Sequence, residues 1–211
     1  MTVLNVVKNL SPSIPRLSSR LLALSMLTMM SVALAPHALA GDPADWGKLS
    51  QGQVVVKQKA TASKEVPSVE AKILLQVPVE KAWPIVINPV KLARNENKVK
   101  KVQVLSKSGN KQNVDFVVSM TPLLPNFHYV LLQELSPPNL LQFHRISGSF
   151  KDIVGSWRLT PAESGKKSIL TYTLQLDPGP LVPRSLLLGA IKSDLPNLMR
   201  NTRAAIENVS P

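Results

Sequence analysis

Few side chains in this sequence could carry out covalent or acid–base chemistry. Cysteine is absent, which excludes thiolate catalysis, Cys-ligated zinc and a disulfide framework. Of the three histidines, His37 falls in the apolar N-terminal region, leaving His128 and His144. Neither has a second histidine at i+3 or i+4, and no nearby pair of acids gives metal-ligand spacing. There is no nucleophile elbow, no glycine-rich phosphate loop and no H-E-x-x-H helix. No metal and no cofactor is therefore expected. Catalysis would need an inward acid or base. Arg145, which shares strand parity with Leu141 and Phe143, and the Tyr172 hydroxyl are the candidates. His128 and His144 have the opposite parity.

Apolar side chains at alternate positions say more. Phe116, Val118 and Met120 recur with period two, as do Phe127, Tyr129 and Leu131. Leu141 and Phe143, then Trp157 and Leu159, then Tyr172 and Leu174 continue the pattern. Period two is the mark of half-buried strands. The inward faces would build a core or, where sheet and helix do not close fully, line an apolar pocket of the kind that holds small molecules.

The elements that must position these residues are legible in turn. Gln53–Lys59 and Ser68–Val77 are candidate strands, the second with Val69, Ala71, Ile73, Leu75 and Val77 on one face. Val79, Trp83 and Val86 then repeat at i, i+4 and i+7, a short helix with Pro84 expected in its first turn. A second short turn is expected after Pro89. From Lys98 the chain reads as antiparallel strands, with a hairpin turn at Ser108-Gly109-Asn110. After Pro183 helical spacing runs to Asn208, with Leu187, Ile191, Leu195, Leu198, Thr202 and Ala205 forming a stripe, and Pro196 predicts a break or restart there. Helix on one antiparallel sheet is an α+β architecture.

The first forty residues differ from the rest. Lys8, Arg16 and Arg20 precede the uncharged run Leu21–Ala35, and Ala38-Leu39-Ala40 lies just before Gly41. This matches a secretory signal cleaved after Ala40. Its apolar run would span about 22 Å as a helix, short of a ~30 Å hydrocarbon core, so an uncleaved membrane anchor is the alternative. The expected organisation is a signal at 1–40, a loose polar lead-in at 41–50 and one domain at 51–208, exported to a periplasm or beyond.

The chain carries 25 basic and 13 acidic side chains, and losing Lys8, Arg16 and Arg20 takes the formal charge from +12 to +9. Lys91, Arg94, Lys98, Lys100, Lys101, Lys107 and Lys111 cluster with only Glu96 against them. Such a patch is a solvated edge or a contact for an anionic membrane surface. Nucleic acid is not expected, because no aromatic residue is interleaved to stack on bases.

The order of segments resembles a known superfamily. Val77-Pro78-Val79-Glu80-Lys81-Ala82-Trp83 leaves a strand for a short helix, and Asn88-Pro89-Val90-Lys91-Leu92 follows. Later come Gly155-Ser156-Trp157 and Asp177-Pro178-Gly179-Pro180-Leu181-Val182-Pro183, the latter entering the terminal helix. Over about 51–208 the chain resembles the START-like, or polyketide cyclase/coenzyme Q-binding, superfamily (SRPBCC) with the helix-grip fold. The resemblance implies a curved seven-stranded antiparallel sheet around a long C-terminal helix, with two short helices after the first strand. It also implies an apolar cavity holding a lipid, isoprenoid quinone or polyketide-like ligand. The lining would come from Trp83, Phe116, Val118, Met120, Phe127, Tyr129, Leu131, Leu141, Phe143, Arg145, Trp157, Tyr172, Leu187 and Ile191. Asn88 replaces the usual aspartate and Pro89 the aromatic residue that often follows it. A cyclase-like enzyme, and a membrane- or protein-interaction module without a ligand, are the other readings.

Overall fold

The computed structural model describes residues 43–59, 68–94, 96–119, 125–180 and 183–208. The expected signal segment and Met120 lie outside these residues, as does the side chain of Leu187. The chain runs α1 (Pro43–Ser50), β1 (Val55–Lys59), β2 (Ser68–Leu75), α2 (Val79–Val86), α3 (Pro89–Ala93), β3 (Val99–Ser108) and β4 (Lys111–Val118). It continues through β5 (Phe127–Ser136), β6 (Leu140–Gly148), β7 (Asp152–Ala162), β8 (Lys167–Asp177) and α4 (Arg184–Glu207). The strands form one antiparallel sheet in the order β1-β2-β8-β7-β6-β5-β4-β3, and α4 lies on it in a helix-grip arrangement. Among the described residues there are eight strands rather than seven. The extra one is β1, which pairs with β2 at the sheet edge, so the two short helices follow the second strand.

The core sits between the sheet and the helices. Val69, Ala71, Ile73, Leu75 and Val77 are all buried, as the alternation requires, and Val79, Ala82, Trp83 and Val86 present one face of α2 to them. Pro84 is in the second turn of α2 rather than the first, on its exposed side, where a lost backbone bond is most cheaply replaced by water. Asn88 caps α3: its Oδ1 accepts from the Lys91 backbone N–H at 3.0 Å, and Pro89 takes the first helical position. The two apparent departures from the family pattern thus build a sound helix start.

Two elements differ from expectation. The supposed lead-in is α1, because the outer face of β2 and β8 is not free: Leu49 buries against Val55, Leu74, Ala162 and Ile169, with Trp46 beside them. The carboxylate of Asp45, also buried, takes Lys57 at 2.7 Å and Lys72 at 3.4 Å. Helix α4 runs unbroken through Pro196. Leu195, Met199, Thr202 and Ile206 are its buried row, while Ile191, Leu198 and Ala205 pack partly buried beside them. Packing of that row outweighs the one bond that Pro196 removes.

Two stability predictions arise here. Thr202 is fully buried, and among the described residues its Oγ1 has no hydrogen-bond partner. Thr202→Val should raise stability by about 1 kcal/mol, read as a higher urea midpoint; a lower one would show that the hydroxyl is bonded in solution. The second concerns acid. Hydrogen bonds from Lys57, and secondarily Lys72, hold Asp45 below its ordinary value. Burial alone would raise Glu70, but Lys59 and Lys72 outweigh it and leave this group lowered too. A lowered folded-state pKa gives stability that is present above the unfolded value and lost as pH falls through the folded one. Melting temperature should therefore drop below about pH 4, with a shallower fall in Asp45→Asn.

Candidate functional site

Between the sheet, α3 and α4 lies a cavity of about 230 Å³. Its walls come from six strands and three helices, so no short motif could announce it. Val86, Pro89, Leu92 and Ala93 close one side, Leu198 of α4 another, and strand residues supply the rest. Aromatic rings dominate the sheet wall. Phe116 stacks on Tyr129 at 5.4 Å between centroids, and Tyr129 meets Phe150 at 5.5 Å. Across the sheet, Tyr172 lies between Trp157 at 4.2 Å and Phe143 at 6.1 Å.

Gly155 shapes this wall. It pairs with Phe143 on β6 and Leu174 on β7's other neighbour, β8. A Cβ there would lie 2.3 Å from the Thr173 carbonyl oxygen and 2.4 Å from Phe143 Cζ. The missing side chain is what allows the Phe143 ring to lie flat over β7. That is the physical content of the Gly155-Ser156-Trp157 segment.

Of the residues expected to line a pocket, Phe116, Tyr129, Leu131, Phe143, Trp157 and Tyr172 do line it. Trp83, Phe127 and Leu141 are instead buried in the core, and Val118 and Ile191 pack against that core without reaching the cavity wall. Arg145 is not in the wall either. Pairing of β6 with β7 stops at His144–Val154, and the Arg145 guanidinium turns to the Gly148 carbonyl at 3.2 Å. Parity gives a side's identity, but not whether the neighbouring strand is still there. His128 is exposed, with Nε2 at 2.5 Å from Asp115 Oδ1, and His144 is exposed as well.

Several polar groups that the sequence reading passed over lie in the wall. Gln133 is buried and lines the cavity. Its Oε1 accepts from Gln112 Nε2 at 2.7 Å, and Gln112 also donates to the Ile87 carbonyl at 3.1 Å. Glu96 lines the cavity from the α3–β3 turn, and its Oε1 is buried without a partner. Burial, and then the charge of Asp194, raises this carboxyl above its ordinary value, against a hydrogen bond from Asn201. Burial likewise pushes the Tyr129 and Tyr172 phenols well above the usual range, and Tyr129 adds to the effect on Tyr172. What surface these rings retain faces the cavity rather than bulk water.

The sequence profile described as polyketide cyclase / dehydrase and lipid transport matches residues 75–203. The chain belongs to this family. Among solved structures, human STARD10 is 15% identical, with 72% of this chain and 69% of that one aligned and a TM-score of 0.61. The Zhui aromatase/cyclase from Streptomyces sp. R1128 is 16% identical, covering 69% of this chain and 96% of the other at TM-score 0.59. A STAR-related lipid transfer protein fragment from Xanthomonas axonopodis is 14% identical, covering 74% and 92% at 0.57. No curated protein sequence matches. Identities this low establish a shared fold alone, and a fold does not fix the chemistry it carries.

Proposed function

We propose that this family member is an exported, non-catalytic carrier or sensor of a small apolar ligand held in the cavity. The observation that carries the reading is the wall itself: aromatic and aliphatic, enclosed on three sides by different elements, with few polar groups. Burial of apolar ligand surface yields about 25 cal/mol per Å², so binding needs no dedicated catalytic group. A volume of about 230 Å³ suits one slender chain better than an entire two-chain lipid. Export rests on the N-terminal segment's basic, apolar and small-residue order.

The basic patch fits this role. Lys91, Arg94, Lys98, Lys100 and Lys101 are exposed, though Lys98 pairs with Asp194 at 2.5 Å and Lys101 lies 3.7 Å from Asp115. A shallow outer groove lined by Val90, Arg94, Lys100 and Lys101 shares Ala93 and Val99 with the cavity. At that point one layer of side chains separates the basic surface from the ligand space. An anionic membrane docked there would lie across Ala93 and Val99 from the ligand space. Reversing Lys91, Arg94 and Lys100 to Glu should reduce sedimentation with phosphatidylglycerol vesicles at least tenfold at low salt, and salt should weaken the wild type similarly.

The deciding experiment is native mass spectrometry of the domain from its own envelope fraction, with solvent extraction of what it carries. A stoichiometric apolar molecule supports the carrier. An empty protein that also takes up no neutral apolar dye overturns it. One observation favours a cyclase-like reading, the raised carboxyl of Glu96 beside the cavity, and conversion of the extracted molecule on incubation would establish that instead.

A further inference from the structure

The polar groups of the cavity are arranged, not scattered. Gln112 spends its amide donors on Ile87 and Gln133, which fixes the Gln133 carbonyl as the acceptor and leaves the Gln133 NH2 group for the cavity. Among the described residues that NH2 has no acceptor. Strand register places this donor far from Glu96. Gln112 pairs with Gln133, whereas Val99, whose N–H bonds the Glu96 carbonyl at 3.0 Å, pairs with Val118. Six residues of β4 separate those rows, about 20 Å of strand before the side chains reach inward. One end of the cavity therefore offers a hydrogen-bond donor, and beside the other lies a buried carboxyl oxygen without a partner among the described residues.

Resting on the ligand-binding reading, we propose that the cavity selects a neutral, elongated ligand oxygenated at both ends, with a carbonyl-type acceptor taken by Gln133 and a hydroxyl donated to Glu96. Two consequences follow from the chemistry. A plain hydrocarbon leaves both buried groups unsatisfied, which is the costly state for a polar atom out of water. A carboxylate at the Glu96 end would be buried beside a second carboxyl, with no Lys or Arg among the described lining residues to pair it, and is rejected. Glu96 lines the cavity while its Oε1 is itself buried, so the carboxyl must turn toward the cavity to meet the ligand hydroxyl.

The test is competition against a neutral solvatochromic dye, using straight-chain compounds of matched length: alkane, primary alcohol, methyl ketone, ω-hydroxy methyl ketone and carboxylate. The hydroxy ketone is expected to displace the dye at a concentration at least tenfold below that of the alkane or the carboxylate. Gln133→Leu should bring the hydroxy ketone to the level of the alcohol, and Glu96→Leu to that of the ketone. Glu96→Gln should admit the carboxylate while keeping the alcohol. Melting curves run alongside establish that each variant is folded. Dye that binds while all five compounds compete equally, or variants that leave the ranking unchanged, overturns this inference and leaves the carrier reading standing. Dye that never binds overturns the carrier reading itself.

Discussion

Gly155→Ala is expected to destabilise the domain by about 3 kcal/mol or more. The added carbon would sit 2.3 Å from the Thr173 carbonyl and 2.4 Å from Phe143 Cζ. Rings can move, but the Thr173 carbonyl cannot, since its strand β8 is paired on both sides by β2 and β7. Relief would require β7 to separate from β8, taking Trp157 and Tyr172 out of the wall. Urea denaturation measures the cost, and a change below about 1 kcal/mol would show that the sheet yields. Gly47→Ala is the matched control. It lies exposed in α1 with nothing within 4 Å of its would-be Cβ, so it should gain about 0.5–1 kcal/mol from helix propensity.

Leu198→Trp is expected to abolish ligand uptake while leaving the fold intact. Leu198 faces the cavity from α4 and is only partly buried, so its environment includes open space into which a larger ring can grow. An indole there takes up much of about 230 Å³. Titration with a neutral apolar dye should show at least a hundredfold weaker binding, with a melting temperature within a few degrees of wild type. Unchanged binding would mean that the ligand lies elsewhere. A large fall in melting temperature would mean that the space is not open in solution. Leu195→Trp, by contrast, should simply destabilise, because Leu195 is buried in the packed core.

Much of the architecture was legible because it is local. Period two in β2 and β5 and the 79–83–86 spacing of α2 come directly from strand and helix geometry, and each buried face lies where that geometry requires. The Pro89 turn was equally plain, since proline at a first helical position is compatible with the chain's own sterics. Local signals misled where a second element changed the balance. Polar Pro43–Ser50 looks like a linker until the outer face of β2 and β8 supplies Leu49 with neighbours. Pro196 looks like a break until Leu195, Met199 and Ile206 hold the helix on both sides of it.

The site itself divides the same way. Seven aromatic and aliphatic side chains in the wall could be named from strand parity, and Gln133 carried the same signal: a polar residue on the parity of Tyr129, Leu131 and Leu135. Glu96 carried none, being a lone acid in a basic stretch. By itself the sequence determined which residues face inward, because a strand's side chains alternate whatever surrounds it. Only the tertiary structure decided which inward residues touch one another and which border empty space. That depends on where α3, α4 and the bent sheet stop short of each other, and such a gap is a property of several segments at once, written in none of them.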